Sequence, residues 1–251
     1  MSWTDGPMIG LDTETTGVDV ASDRIVTVSV GSFTPGDKAA RDMTWLVAVD
    51  IEIDPAATEV HKITTEHARE HGIPANKALT EVVDVLAELW SPDVPLIGFN
   101  SAFDLSILDH ETRRWLNRPF PIRGPVIDGL VIDKAVDKYR RGSRKLVDTC
   151  RHYGIELTEA HTSDADTLAA MRLAWKLGKR YPHIGSMPLV ELHKRQVGWF
   201  REQQLSYARY LRGTMAAAEG SEREAIAVKA EGVEARAEGW PMRVAPGVEL
   251  T

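Results

Sequence analysis

Cysteine is almost absent from this sequence: Cys150 is the only one. A single thiol closes no internal disulfide and builds no multi-cysteine zinc site, so a reducing compartment, the cytoplasm, is expected. Long apolar runs are also lacking. None approaches the roughly 20 residues of a membrane span, and residues 1–8 (MSWTDGPM) have neither the basic nor the apolar region of a signal peptide. No membrane partner is expected. Excess positive charge is missing too, since 30 Lys and Arg stand against 37 Asp and Glu, a formal charge of −7. That balance excludes a protein that coats nucleic acid through bulk positive potential. It is compatible with an enzyme that gathers acids around metal ions and keeps a local basic rim. At 251 residues, the chain suffices for one large domain, or a domain with an extension.

The first organised stretch is Ile9-Gly10-Leu11-Asp12-Thr13-Glu14-Thr15-Thr16-Gly17. In a strand, residues i and i+2 share a face, so the carboxylates of Asp12 and Glu14 project together. Like charges that close repel unless a cation lies between them. Hard divalent ions such as Mg²⁺ or Mn²⁺ favour such oxygen ligands. A lone D-x-E is far more often a solvated strand end, so its meaning depends on the rest of the chain.

Residues 8–11 and 24–33 read as two strands of a hairpin, and 44–49 as a third strand. An irregular stretch is expected from Asp54-Pro55 to Thr64. Apolar spacing then predicts helices over 76–90, 103–116, 146–153 and 162–179, with short strands at 95–99 and 126–128. Strands alternating with helices after an early meander indicate an α/β architecture with a mixed sheet. Residues 188–211 read as one long helix. Residues 219–238, rich in Ala, Glu and Gly, read as a loosely held helix or a linker. The expected division is a catalytic domain over 1–182 and a mainly helical C-terminal extension over 183–251.

Two further acid motifs follow. Asn100-Ser101-Ala102-Phe103-Asp104 sets an acid at a helix start, where the dipole alone would also favour it. His161-Thr162-Ser163-Asp164-Ala165-Asp166 opens the 162–179 helix. Asp164 and Asp166 are two apart on a helix and cannot share a face, so one is surface or cap and the other points inward.

Taken together, Asp12-x-Glu14 with Thr-Thr-Gly, Asn100-x-x-Phe103-Asp104 and His161-x₄-Asp166 resemble the DEDDh 3′–5′ exonucleases (DnaQ-like), the family of the proofreading subunit of bacterial DNA polymerase III. The resemblance covers about residues 8–180. It implies a ribonuclease H-like sheet flanked by helices, two divalent ions (Mg²⁺ or Mn²⁺), Asp12, Glu14, Asp104 and Asp166 as ligands, and His161 as general base. Asp164 has no counterpart among the family's acids. The chain departs from the family pattern at Phe99, where His is usual, and at Ser163 and Thr167, where Ala is usual. In the segment Val60-His61-Lys62-Ile63-Thr64, which in the family lies near the terminal nucleotide, Lys62 replaces Gly.

A phosphodiester is anionic and a poor electrophile. Two ions about 4 Å apart can activate a water and stabilise the leaving oxygen. Thr13, Thr15, Thr16, His61, Asn100 and Phe103 are candidate contacts to the terminal nucleotide. For the threonines, turn formation is an equal reading, and for Phe103 a core position is. The basic run Lys138, Arg140, Arg141, Arg144, Lys145 is either a solvated loop or a grip on strand phosphates. The expected activity is release of nucleotides from the 3′ end of single-stranded DNA, in proofreading or repair. Trimming of RNA ends is the rival reaction. A non-catalytic docking module is the rival of another class, and loss of an acid or of His161 would have favoured it. The apolar 188–211 helix either folds back on the catalytic domain or binds a partner, a second copy or a polymerase.

Overall fold

The computed structural model describes residues 2–36, 41–156 and 163–243. Strand β1 (Met8–Thr15) pairs antiparallel with β2 (Ile25–Phe33), and β2 with β3 (Arg41–Ala48). Two short helices follow, α1 (Pro55–His61) and α2 (Thr65–His71), then a two-residue strand β4 (Ile73–Pro74) and helix α3 (Ala75–Leu89). Next come β5 (Leu96–Gly98), α4 (Ser101–Leu116), β6 (Val126–Asp128), α5 (Gly129–Val136), α6 (Leu146–His152) and α7 (Ser163–Arg180). The C-terminal part carries α8 (Pro182–Gly185), α9 (Leu189–Thr214) and α10 (Gly220–Ala235). The sheet order is β4-β3-β2-β1-β5-β6, with β5 and β6 joined parallel to the antiparallel meander.

Alternation along the strands sorts side chains onto two helical layers. Ile9, Leu11, Leu96 and Val126 enter the core built with α3 and α4. Met8, Ile97 and Ile127 face the other way, onto the core built with α7. The helix over 76–90, read from Leu79, Val82, Val83, Leu86 and Leu89, is α3; the first four side chains are buried and Leu89 partly so.

One expectation is corrected. The 54–64 stretch is not irregular. Asp54 caps α1 by accepting from Ala56 N at 2.7 Å, with Pro55 opening the helix, and Thr64 caps α2 by accepting from His67 N at 3.2 Å. Of the two readings for residues 219–238, a helix or a linker, the structure takes the helix, continuous over Gly220–Ala235. Its Ala230 and Val233 pack on Ala208 and Leu211 of α9, which compensates for weak periodicity.

Helix α9 also does something for the sheet. Strand β6 is an edge, and an edge exposes unpaired backbone groups. Gln196 Oε1 accepts from Asp128 N at 2.7 Å, Gln196 Nε2 donates to Val126 O at 2.9 Å, and His193 Nδ1 accepts from Val126 N at 3.0 Å. Side chains of α9 thus take the place of a seventh strand. Phe200 of α9 and the following Trp240 and Met242 are buried in the same core as Ile9 and Leu11. No helix among the described residues is long and apolar enough to cross a membrane.

Candidate active site

Gly10, Asp12 and Glu14 alternate along β1, so all three face the α7 layer. Their antiparallel partners on β2 are Gly31, Ser29 and Thr27. Helix α7 settles onto this row. Ser163 at its first turn bonds to Ser29 Oγ at 2.7 Å and accepts from Thr27 Oγ1 at 3.2 Å. One and two turns on, Thr167 and Met171 lie so close to the strands that a Cβ on Gly10 would sit 2.6 Å from Thr167 Cγ2 and 2.8 Å from Met171 Cγ. The glycine pair therefore lets α7 approach. Asp166, between these anchors, is brought to Asp12 and Glu14.

The result is a three-carboxylate cluster. Asp12, Glu14 and Asp166 each offer an oxygen, and these atoms lie within 4.8 Å of one another, all three residues half-buried. Asp164 is exposed, so the α7 acids divide as their spacing requires. Asp104 comes from the opposite layer. Thr13, pointing to that side, donates to Asp104 Oδ1 from its N–H at 3.1 Å and from its hydroxyl at 2.7 Å. Asp104 is outside the mutual 4.8 Å grouping of the other three, yet near enough for its charge to act on Asp12 and Glu14.

Burial and mutual repulsion set the electrostatics. Burial, then Asp104, Glu14 and Asp166, hold the Asp12 carboxyl well above the usual carboxylate range. Burial, then Asp166 and Asp104, raise Glu14 to about 7. Burial also lifts Asp104 to about 7, against the Thr13 hydrogen bonds that favour its anion. Oxygen donors with unneutralised negative charge fit a hard divalent cation, and protons are its competitors.

The other residues expected to touch substrate are placed as follows. The hydroxyls of Thr13, Thr15 and Thr16 are engaged within the protein: with Asp104, with Gly17 O at 2.6 Å, and with Asp23 Oδ1 at 2.7 Å. His61 ends α1 beside the Thr15 backbone. It is buried, its Nδ1 accepts from Ile63 N at 3.1 Å, and burial pushes its pKa below the ordinary value. Its Nε2 is buried with no hydrogen-bond partner among the described residues. Phe103 is half-buried against the α3–α4 core, and Asn100 is exposed in the left-handed region at φ 69°. His161 lies outside the described residues.

Asp128 is a residue that sequence reasoning missed. Its Oδ1 accepts from Asn100 N at 3.0 Å and Leu130 N at 2.9 Å, and its Oδ2 from Ser101 N at 2.9 Å. One buried carboxylate thus caps α5 and fixes the turn that aims Asp104. Its signal was present as an acid at the end of an apolar strand, directly before a helix.

Residues 9–174 match the family model described as Exonuclease, RNase_T. The chain belongs to this exonuclease family. It is 27% identical over 164 residues to the DNA polymerase III subunit epsilon of Treponema pallidum, covering 64% of this chain and 72% of that protein. It is 27% identical over 173 residues to the PolC-type DNA polymerase III of Oceanobacillus iheyensis, covering 67% of this chain but 11% of the polymerase. Among solved structures, exonuclease I superposes with a TM-score of 0.62 at 20% identity, over 71% of this chain and 42% of that one. Escherichia coli exonuclease I in complex with a dA16 oligonucleotide gives 0.61 at 20%. The chain therefore spans less than half the length of these exonuclease I chains. The mixed sheet flanked by helices is the ribonuclease H-like architecture, and an acidic cluster suited to divalent metal sits where the exonuclease motifs meet.

Proposed function

We propose that this exonuclease is a 3′–5′ enzyme hydrolysing single-stranded DNA ends with two divalent ions, Mg²⁺ or Mn²⁺. The observation that carries this reading is the convergence of Asp12, Glu14 and Asp166, with Asp104 alongside. These carboxylates would hold the ions. Bound there, divalent metal supplies a polarised water and charge stabilisation for the leaving oxygen. Thr13 orients Asp104, Asp128 holds the Asn100–Ser101 turn, and His61 closes the wall beside Thr15. His161 would take the water's proton, since a histidine side chain ordinarily titrates near neutrality. Two relatives are a polymerase III subunit and a PolC-type polymerase, and exonuclease I has been solved with DNA oligonucleotides, which favours DNA and a proofreading or repair role. A polymerase acting in trans is the partner this implies.

The test is digestion of matched DNA and RNA oligonucleotides, labelled at either end, with Mg²⁺, Mn²⁺ or EDTA. Mononucleotide release from the 3′ end of DNA, abolished by EDTA, is expected. Release from the 5′ end, or activity in EDTA, would overturn the proposal, and preference for RNA would reassign the substrate.

A further inference from the structure

The groove between α5 and α9 encloses about 550 Å³ and is lined by Lys134, Lys138, Trp199, Gln203, Tyr207 and Tyr210 among others. We propose that it is an accessory track for single-stranded nucleic acid, outside the carboxylate site. The proposal rests on the nuclease reading above for its purpose, though not for its geometry.

Two aromatic rings are displayed rather than buried. Tyr207 and Tyr210 are 42% and 65% exposed, while Phe200, Ala208 and Leu211 of the same helix are buried. Three residues apart, the two tyrosines share a helix face, and their rings stack 6.3 Å apart at 14° from parallel. Lys229 of α10 holds its ammonium 5.9 Å from the Tyr207 ring. Flat, exposed rings beside cations suit successive bases and their phosphates, whatever the sequence.

The cations come from the basic run, which the structure divides in two. Arg140 and Arg144 turn inward to the buried Asp133, at 2.9 and 2.6 Å. Lys138 stays exposed, as do Arg141 and Lys145. Lys138 meets Glu202 across the groove at 3.3 Å, an exposed pair that a phosphate can displace. Lys134 lines the groove and has no ion-pair partner among the described residues. It is close enough to Asp128 for their charges to interact, as Asp128 is to Asp104. The groove is walled by α5, the helix whose start Asp128 caps. Its aromatic wall, at 199–210, lies beyond the matched residues 9–174, whereas Lys134 and Lys138 lie within them, so the track is formed where the matched domain and the C-terminal helix meet.

The experiment measures fluorescence anisotropy of labelled dT4, dT20 and rU20 with the full chain in EDTA, where no cleavage intervenes. The parent is expected to bind dT20 well above dT4. Tyr207→Ala with Tyr210→Ala should weaken dT20 binding by at least about five-fold per ring, with dT4 affinity and the thermal melt unchanged. Lys138→Glu should weaken dT20 binding further and lower its salt dependence. Preference for rU20 that is lost in the tyrosine variant supports the track and assigns it to RNA. Unchanged dT20 and rU20 affinity in the double variant, or displacement of both by polyglutamate as readily as by unlabelled strand, would overturn it. Loss of binding in the variant of a protein that cleaves nothing would keep the track and sink the nuclease assignment instead.

Discussion

Lys62 stands where the family places glycine, and it ends α1 in the left-handed region at φ 65°, ψ 12°. A side chain there costs on the order of 1 kcal/mol, which glycine avoids. Lys62→Gly is therefore expected to raise stability by roughly 0.5 kcal/mol or more, read as a higher urea midpoint with unchanged slope. A lower midpoint would mean that the lysine stem contributes more than the backbone loses. The acids of α7 give a sharper contrast. Asp166→Ala removes one of three converging carboxylates and should cut cleavage by several orders of magnitude, with the fold retained. Asp164→Ala, on an exposed side chain, should stay within a few-fold of the parent. Steady-state rates at saturating Mn²⁺ decide the matter, and the reverse order would move the site to the other face of α7. Cys150 is fully buried, and that burial pushes its thiol up to about 12, away from the thiolate a reactive cysteine needs.

The approach of α7 to β1 is the element-scale event on which the cluster depends. Gly10→Ala would place a methyl within 3 Å of Thr167 and Met171 and force the helix outward. Overpacking of that kind costs about 1–3 kcal/mol. The expected outcome is a lower melting temperature together with weaker Mn²⁺ binding by calorimetry, because Asp166 moves with the helix. Adding Thr167→Ala should restore part of both, since Thr167 Cγ2 is the nearest obstacle. Full Mn²⁺ affinity in Gly10→Ala would show that the cluster tolerates a displaced helix. This coupling also marks the limit of what could be read from residues alone. The D-x-E pair and the amphipathic helices were legible because periodicity states them directly, whereas spacing separated Asp164 from Asp166 without saying which faces inward, and only the family resemblance chose Asp166. The role of Gly10 was not, because a glycine in a strand announces close approach without naming what approaches. Ser163 and Thr167, departures from the family pattern, become intelligible only against Ser29, Thr27 and Gly10. Gln196 and His193 were equally hidden, since side chains that bond to a sheet edge leave no repeating pattern. The capping residues Asp54 and Thr64 were visible in the sequence, yet each helix is too short for a clear apolar period.

For the whole molecule, the site is a source of instability that metal relieves. Without metal, Asp12 is held well above the carboxylate range and Glu14 and Asp104 near 7, against ordinary values of about 4 in an unfolded chain. The folded state thus keeps protons that the unfolded state has released. Groups with raised folded pKa values contribute fully below the unfolded value, and that contribution is lost as pH climbs through about 7. The metal-free protein should melt several degrees lower at about pH 8 than at about pH 6. Divalent ions replace the protons and bind the folded state alone, so they stabilise in proportion to RT ln(1 + [M]/Kd), most strongly where protons no longer compete. Melting scans in EDTA and in Mg²⁺ across that range test this linkage. The gain on adding Mg²⁺ should grow with pH and vanish in Asp12→Asn with Glu14→Gln, a variant whose melting should also depend less on pH over the same interval, keeping the share that comes from the buried Asp104. A gain that shrinks with rising pH, or persists in that variant, would place the stabilising ion somewhere other than the carboxylate cluster.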